Sequence, residues 1–239
     1  MDTIKFNKNN VKMIAHRGLS GLEAENTASA FVAAGNHSYH GIETDVHRTG
    51  DGGFVVIHDG DLIRVADSEM TVEDKPISEI QSITLRDKDG SFGRADLVVP
   101  TLENYISICK KYEKHAVPEL KSEFTDEEIE AILKIVERYG HLDSTTFISF
   151  NYDNLLKIRK IRPNQSVQFL FWEYTDGLLD RLVRDKIDVD INQKALTREL
   201  LDKFHAAGIA VNVWVVDDPE RAAELAEWGI DMITSNILE

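Results

Sequence analysis

The sequence predicts an α/β protein of the (β/α)₈ TIM barrel class. Its 239 residues are close to the ~250 typical of one such barrel. Short apolar runs that read as strands alternate with helical patterns along most of the chain, and charged residues stand where several of those runs stop. Strand-helix alternation within one chain implies a parallel sheet, and eight units are enough to close it. The expectation is a single domain over residues 1–239 with one sizeable core.

The first strand is Val11 to Ala15, followed by a loop with Gly18 and Gly21 and a helical pattern from Thr27 to about Asn36, which Asn26 or Thr27 can cap. Strand Gly41 to Val46 and the extended run Phe54 to His58 are joined through Asp51-Gly52-Gly53, a turn-forming sequence, and together make the second unit. Residues 59–98 fit no barrel repeat: they are polar, carry short helical pieces such as Ile77 to Leu85, and read as an insertion after that unit. A helix then follows Pro100-Thr101. The alternation resumes with strands Ala116–Lys121, Thr145–Phe150, Ser166–Phe171, Asp188–Ile191, Ile209–Trp214 and Asp231–Thr234, separated by helices beginning at Asp126, Asn151, Asp176, Thr197 and Pro219. Little chain remains after Thr234, so the eighth helix is expected to be short or missing.

Composition narrows the function classes. With 42 acidic against 27 basic residues and a formal charge of −15, the chain offers no general phosphate-binding surface, which argues against nucleic acid. An anionic ligand must be met locally. The first residues are polar and mixed and no run of about 18 apolar residues occurs, so a soluble, cytoplasmic protein without membrane insertion is expected. The single cysteine, Cys109, lies in a helical apolar pattern and reads as core packing. Nothing in the pattern specifies an oligomeric state.

The strand ends carry the chemistry. Residues two apart on a strand share a face, so Glu43 and Asp45 present two carboxylates side by side, and Glu119 and Lys121 put a third carboxylate and an ammonium on one face of another strand. Like charges at that separation repel unless a cation lies between them or one is protonated. A metal is the simpler answer. Three carboxylates with water suit Mg²⁺ or Ca²⁺, which prefer oxygen ligands, and do not suit structural zinc, which takes Cys and His.

The series His16-Arg17-Gly18, Glu25-Asn26-Thr27, Glu43-Thr44-Asp45, His58-Asp59, Pro100-Thr101-Leu102-Glu103, Glu119-Leu120-Lys121 and Trp214 resembles the glycerophosphodiester phosphodiesterase family, with the motifs in the family's order from about Ile14 to Asn236. Ala24, where the family usually has proline, and Val215-Val216-Asp217 after Trp214 depart from its pattern without removing a catalytic or metal position.

The resemblance implies metal-dependent hydrolysis of a small glycerophosphodiester to glycerol 3-phosphate and an alcohol. His16 and His58 would exchange protons, one as base and one as acid. Glu43, Asp45 and Glu119 would hold the divalent cation. Arg17 and Lys121 would bind phosphate oxygens. Asn26, Phe150 and Trp214 would complete the substrate pocket, with Asn26 equally able to hold the first loop. The attacking group is water or the substrate's own neighbouring hydroxyl. The insertion is the expected seat of selectivity.

Trp172-Glu173-Tyr174 reads as loop packing before it reads as a seat for a choline-like cation. His37, His40, His47, His115, His141 and His205 show no partner spacing and read as structural or exposed. The rival readings are a related phospholipase acting on lysolipid or sphingolipid headgroups, which would need an apolar rim, and a barrel that binds phosphate without turning it over.

Overall fold

Each strand expected from the alternation is present in the computed structural model, which describes residues 2–239. In chain order the elements are β1 (Lys12–Ala15), α1 (Ala28–Asn36), β2 (Gly41–Arg48), β3 (Phe54–Val56), β4 (Asp61–Leu62), α2 (Ile63–Ala66), β5 (Ser68–Thr71), α3 (Ile77–Ile80) and α4 (Leu102–Lys111). They continue with β6 (His115–Leu120), α5 (Asp126–Arg138), β7 (Thr146–Ser149), α6 (Tyr152–Ile161), β8 (Ser166–Phe171) and α7 (Leu178–Asp185). The last are β9 (Asp188–Asn192), α8 (Arg198–Ala206), β10 (Val211–Trp214), α9 (Pro219–Trp228) and β11 (Met232–Ser235).

Strands β1, β2 and β6 through β11 run parallel in that order, and β1 pairs with both β2 and β11, so the sheet closes on itself as a (β/α)₈ barrel. Strand β3 is not a barrel stave. It folds back antiparallel on β2, pairing Val46 with Val56 and Arg48 with Phe54. Among the described residues no helix follows β11; Leu238 instead forms a parallel bridge with Ile4.

Local chemistry explains the helices. Thr101 and Thr125 open α4 and α5 with reciprocal capping boxes to Asn104 and Glu128, and Asp218 caps α9 with Pro219 in its first turn. Thr27, not Asn26, caps α1, its hydroxyl accepting from Ala30 N. In α5, Ile129, Ile132, Leu133 and Val136 recur at helical spacing and are all buried. Such faces pack on the outer side of the staves and form the main core. Inside the barrel Ile14, Val117, Ile148 and Leu170 make a separate apolar layer.

Residues 59–98 build a small hairpin of β4 and β5 and short helices over their own apolar cluster, which includes Val55, Leu62, Val72, Ile80, Leu85 and Leu97. The helix expected to reach Leu85 stops at Ile80: the Ser82 and Ile83 amides turn to the carbonyls of Glu79 and Ile80, and the Leu85 amide donates to Leu97 O at 2.7 Å. This segment is tied to the loop after β1 by Arg94 to Glu23 at 2.9 Å and Arg64 to Glu25 at 2.8 Å.

Cys109 is wholly buried under α4, and burial pushes its thiol up to about 12. The native protein is therefore expected to resist iodoacetamide at mildly alkaline pH and to react once denatured, as read by mass. Rapid labelling of the folded protein would contradict this burial.

Candidate active site

The staves end together, and their inward positions form one chemical surface. On β2 the period of two brings Glu43 and Asp45 inward, and the register of β2 with β6 sets Asp45 opposite Glu119. The three carboxylates are buried, at 3%, 1% and 8% exposure, and each offers an oxygen within 4.8 Å of the others. Lys121 reaches Glu119 Oε1 at 3.1 Å and Asp45 Oδ1 at 3.5 Å.

Arg17 enters from the other side through an unusual backbone. Its φ is +52° and that of Gly18 is +76°, two consecutive left-handed residues where only glycine is at ease. A Cβ on Gly18 would also meet Ala30 at 2.7 Å. The turn aims the Arg17 amide at Glu43 Oε2, 2.8 Å away, and its guanidinium at Glu25 Oε1, also 2.8 Å away. Arg17 Nε lies 3.3 Å from Asp45 Oδ2 as an ion-pair contact, off the hydrogen-bond line. Glu25 is shared with Arg64, so the insertion helps fix Arg17.

Asn26 reaches this centre through Asp45. Its amide donates to Asp45 Oδ2 at 2.8 Å while its carbonyl accepts from the Thr44 hydroxyl at 2.6 Å. It does not line the cavity described below.

Charge crowding shows in the titration of the group. Burial and the neighbouring Asp45 push Glu43 well above the usual carboxylate range and Glu119 up to about 7. Burial would raise Asp45 as well, but Arg17, Lys121 and His58, with the Asn26 amide, hold it low. Three carboxylates faced by two cations, all donors being oxygen, fit a hard divalent cation. Glu43, Asp45 and Glu119 are the residues that could hold it.

Both motif histidines flank this cluster. His16 Nδ1 lies 2.8 Å from Asn236 Oδ1. That oxygen also accepts from Ser20 Oγ, and the Asn236 amide nitrogen donates to Asp217. The imidazole must therefore donate from Nδ1, leaving Nε2 as the open nitrogen, 4.0 Å from Glu43 Oε2. Burial, and then Arg17, lower His16 to about 4, so the ring is neutral near pH 7. His58 Nδ1 donates to Asp59 Oδ1 at 2.7 Å, and Asp59 is held in turn by Arg64 Nε at 2.6 Å. His47, set aside in the sequence for lack of a partner, contacts the His58 carbonyl through Nε2 at 3.2 Å.

These groups share a cavity of ≈ 280 Å³ lined by His16, Arg17, Glu43, His58, Glu119 and Lys121 on its charged side. Ile148, Leu170, Asp190 and Thr234 line it toward the barrel centre, and Phe150, Trp172 and Trp214 stand at its mouth. Trp172 and Trp214 meet edge to face with centroids 4.6 Å apart, and Phe150 lies 6.1 Å from each. The expectation that the insertion governs selectivity meets a different arrangement: past His58, residues 59–98 contribute nothing to this lining, and Lys88 lines an adjoining recess instead.

The structure brings His16, Arg17, Glu43, Asp45, His58, Glu119, Lys121, Phe150 and Trp214 together around one centre. Asn236, Asp217 and Asp190 stand there too without a local signal in the sequence, and Trp172, which the sequence reads as loop packing, lines the cavity. Asp59 stands in the His58-Asp59 motif, where the sequence assigns it no role of its own.

The model of the Glycerophosphoryl diester phosphodiesterase family matches residues 16–238. An uncharacterised Bacillus subtilis protein, YqiK, is 30% identical over 226 residues, covering 92% of each chain. A Bacillus subtilis glycerophosphodiester phosphodiesterase is 26% identical over 245 residues, 93% of this chain and 82% of that one. Among solved structures, an Oleispira antarctica phosphodiesterase in complex with the product sn-glycerol-3-phosphate superposes with a TM-score of 0.88 at 26% identity, covering 98% of this chain and 96% of the other.

Proposed function

The chain belongs to the glycerophosphoryl diester phosphodiesterase family, and from that premise we propose that it is a divalent-cation-dependent hydrolase of small glycerophosphodiesters, releasing sn-glycerol 3-phosphate and an alcohol. The observation that carries this reading is a cluster of three buried carboxylates, two of which, Glu43 and Glu119, line one cavity at the strand ends together with two cations and two histidines, where barrels of this class keep their chemistry.

Glu43, Asp45 and Glu119 would hold Mg²⁺ or Ca²⁺, which when bound supplies Lewis-acid stabilisation of the phosphodiester oxygens. Arg17 and Lys121 are fixed before substrate arrives and offer donors to phosphate oxygens carrying charge in the transition state. His16, neutral and open at Nε2, takes the proton of the attacking oxygen. An imidazolium is better held beside the Asp59 carboxylate than beside the neutral Asn236 amide, which makes His58 the acid that protonates the leaving alkoxide as its P–O bond breaks. Phe150 and Trp172 face the alcohol.

Asp59 positions His58 without touching substrate. Asp59→Ala is expected to lower kcat by about one to two orders of magnitude with little change in KM. A parallel rise in KM would instead mean a distorted pocket.

The reading as a whole is tested by release of sn-glycerol 3-phosphate from glycerophosphocholine, glycerophosphoethanolamine, glycerophosphoglycerol and lysophosphatidylcholine, with Mg²⁺, Ca²⁺ or chelator. Chelator-sensitive release from a water-soluble diester is expected. Turnover of the lipid alone would favour a phospholipase, and binding of product with no turnover of any diester would favour a non-catalytic barrel. No helix among the described residues is long and apolar enough to cross a membrane.

A further inference from the structure

One ionisable group in the cavity has no part in the chemistry above. Asp190 lies on β9 in register with Leu170 of β8 and Asn212 of β10, one inward position deeper than Asn192, which is level with Trp214. It is 1% exposed, and its Oδ1 has no hydrogen-bond partner. A buried carboxyl oxygen without a partner is costly, and natural structures rarely keep one without a use. The same cavity holds a second orphan of opposite sense: Trp214 Nε1, a donor, is also buried and unpartnered. Ile148 and Leu170 make the neighbouring lining apolar, and the Thr234 hydroxyl exchanges hydrogen bonds with Asn212.

Resting on the hydrolase reading, we propose that Asp190 is the specificity residue for the glycerol unit, hydrogen-bonding one of its hydroxyls while Trp214 Nε1 donates to the other. A phosphate seated against Arg17 and Lys121 leaves its ester substituent to fill the rest of the cavity, where an acceptor-capable oxygen and an indole N–H await partners. A diol satisfies both, and an alkyl chain satisfies neither. Burial, with the Glu119 carboxylate nearby, pushes Asp190 well above the usual carboxylate range. An uncharged acid of this kind suits a neutral hydroxyl better than an ammonium group.

The test is calorimetric binding of sn-glycerol 3-phosphate, propyl phosphate and inorganic phosphate, with a divalent cation present. The native protein is expected to prefer glycerol 3-phosphate over propyl phosphate by about ten- to hundredfold. Asp190→Val should erase most of that preference by weakening glycerol 3-phosphate, with propyl phosphate and inorganic phosphate changing less than about threefold, and Asp190→Asn should retain most of it. Asp190→Ala serves as the smaller truncation should valine fail to fold, and Trp214→Phe should remove part of the preference. Equal weakening of all three ligands would mark Asp190 as structural and overturn the proposal. So would a preference that survives truncation, or no preference in the native protein. Failure of the native protein to hydrolyse any glycerophosphodiester while still preferring glycerol 3-phosphate would sink the hydrolase reading alone.

Discussion

His16→Ala or His58→Ala is expected to lower turnover by about two to four orders of magnitude, the usual scale for loss of an acid or base. Both imidazoles are partly exposed, and the partners each would leave, Asn236 and Asp59, keep other hydrogen bonds to Asp217 and Arg64. Thermal stability should therefore change little, and calorimetric affinity for the divalent cation should stay near its native value. The pair separates proton transfer from binding: a phosphate ligand should still bind each variant. Near-native turnover in either variant would remove that histidine from the mechanism.

Glu43→Gln is the second large effect, and it should move two observables in opposite directions. The side-chain amide that this substitution introduces still has a carbonyl oxygen able to accept from the Arg17 amide, so the local hydrogen bond to the backbone is kept. What the substitution removes is an ionisable carboxyl from a crowded, buried group in which burial and Asp45 already oppose ionisation of Glu43. Without metal, the variant is expected to melt at or above the native temperature, because repulsion is relieved. With metal, the native protein should gain stability in proportion to the logarithm of cation concentration over Kd, whereas the variant should gain much less. Activity should fall with the metal affinity. A variant that binds the cation as tightly as the native protein by calorimetry would refute the ligand assignment.

Glu43, Asp45, Glu119 and Lys121 share one property: each sits at a strand end where a period of two fixes the face. Glu43 and Asp45, and Glu119 and Lys121, can be placed on common faces without knowing where any strand lies in space. The eight staves were legible for the same reason, as apolar runs separated by capped amphipathic helices. Residues 59–98 were not, because a hairpin of two- and four-residue strands and one-turn helices leave too short a pattern to read, and their small core is assembled from scattered aliphatics. Asp190 was hidden differently. In Asp188-Val189-Asp190-Ile191 the alternation looks like a strand with one wet face, and only closure of the sheet turns that polar face into the barrel interior. Asn236 was illegible because its partner, His16, lies 220 residues away.

That last contact lies on the seam where β1 meets β11. The His16 amide donates to Ser235 O at 2.9 Å, and the ring is held by Asn236. A nascent chain can form its carboxylate cluster once β6 has emerged, but the nitrogen that takes the proton stays unoriented until the final stave docks. Pairings over such separations are reached slowly, after the local units. Acquisition of activity during refolding should therefore lag behind acquisition of helix, so that the catalyst is switched on by completion of the ring itself.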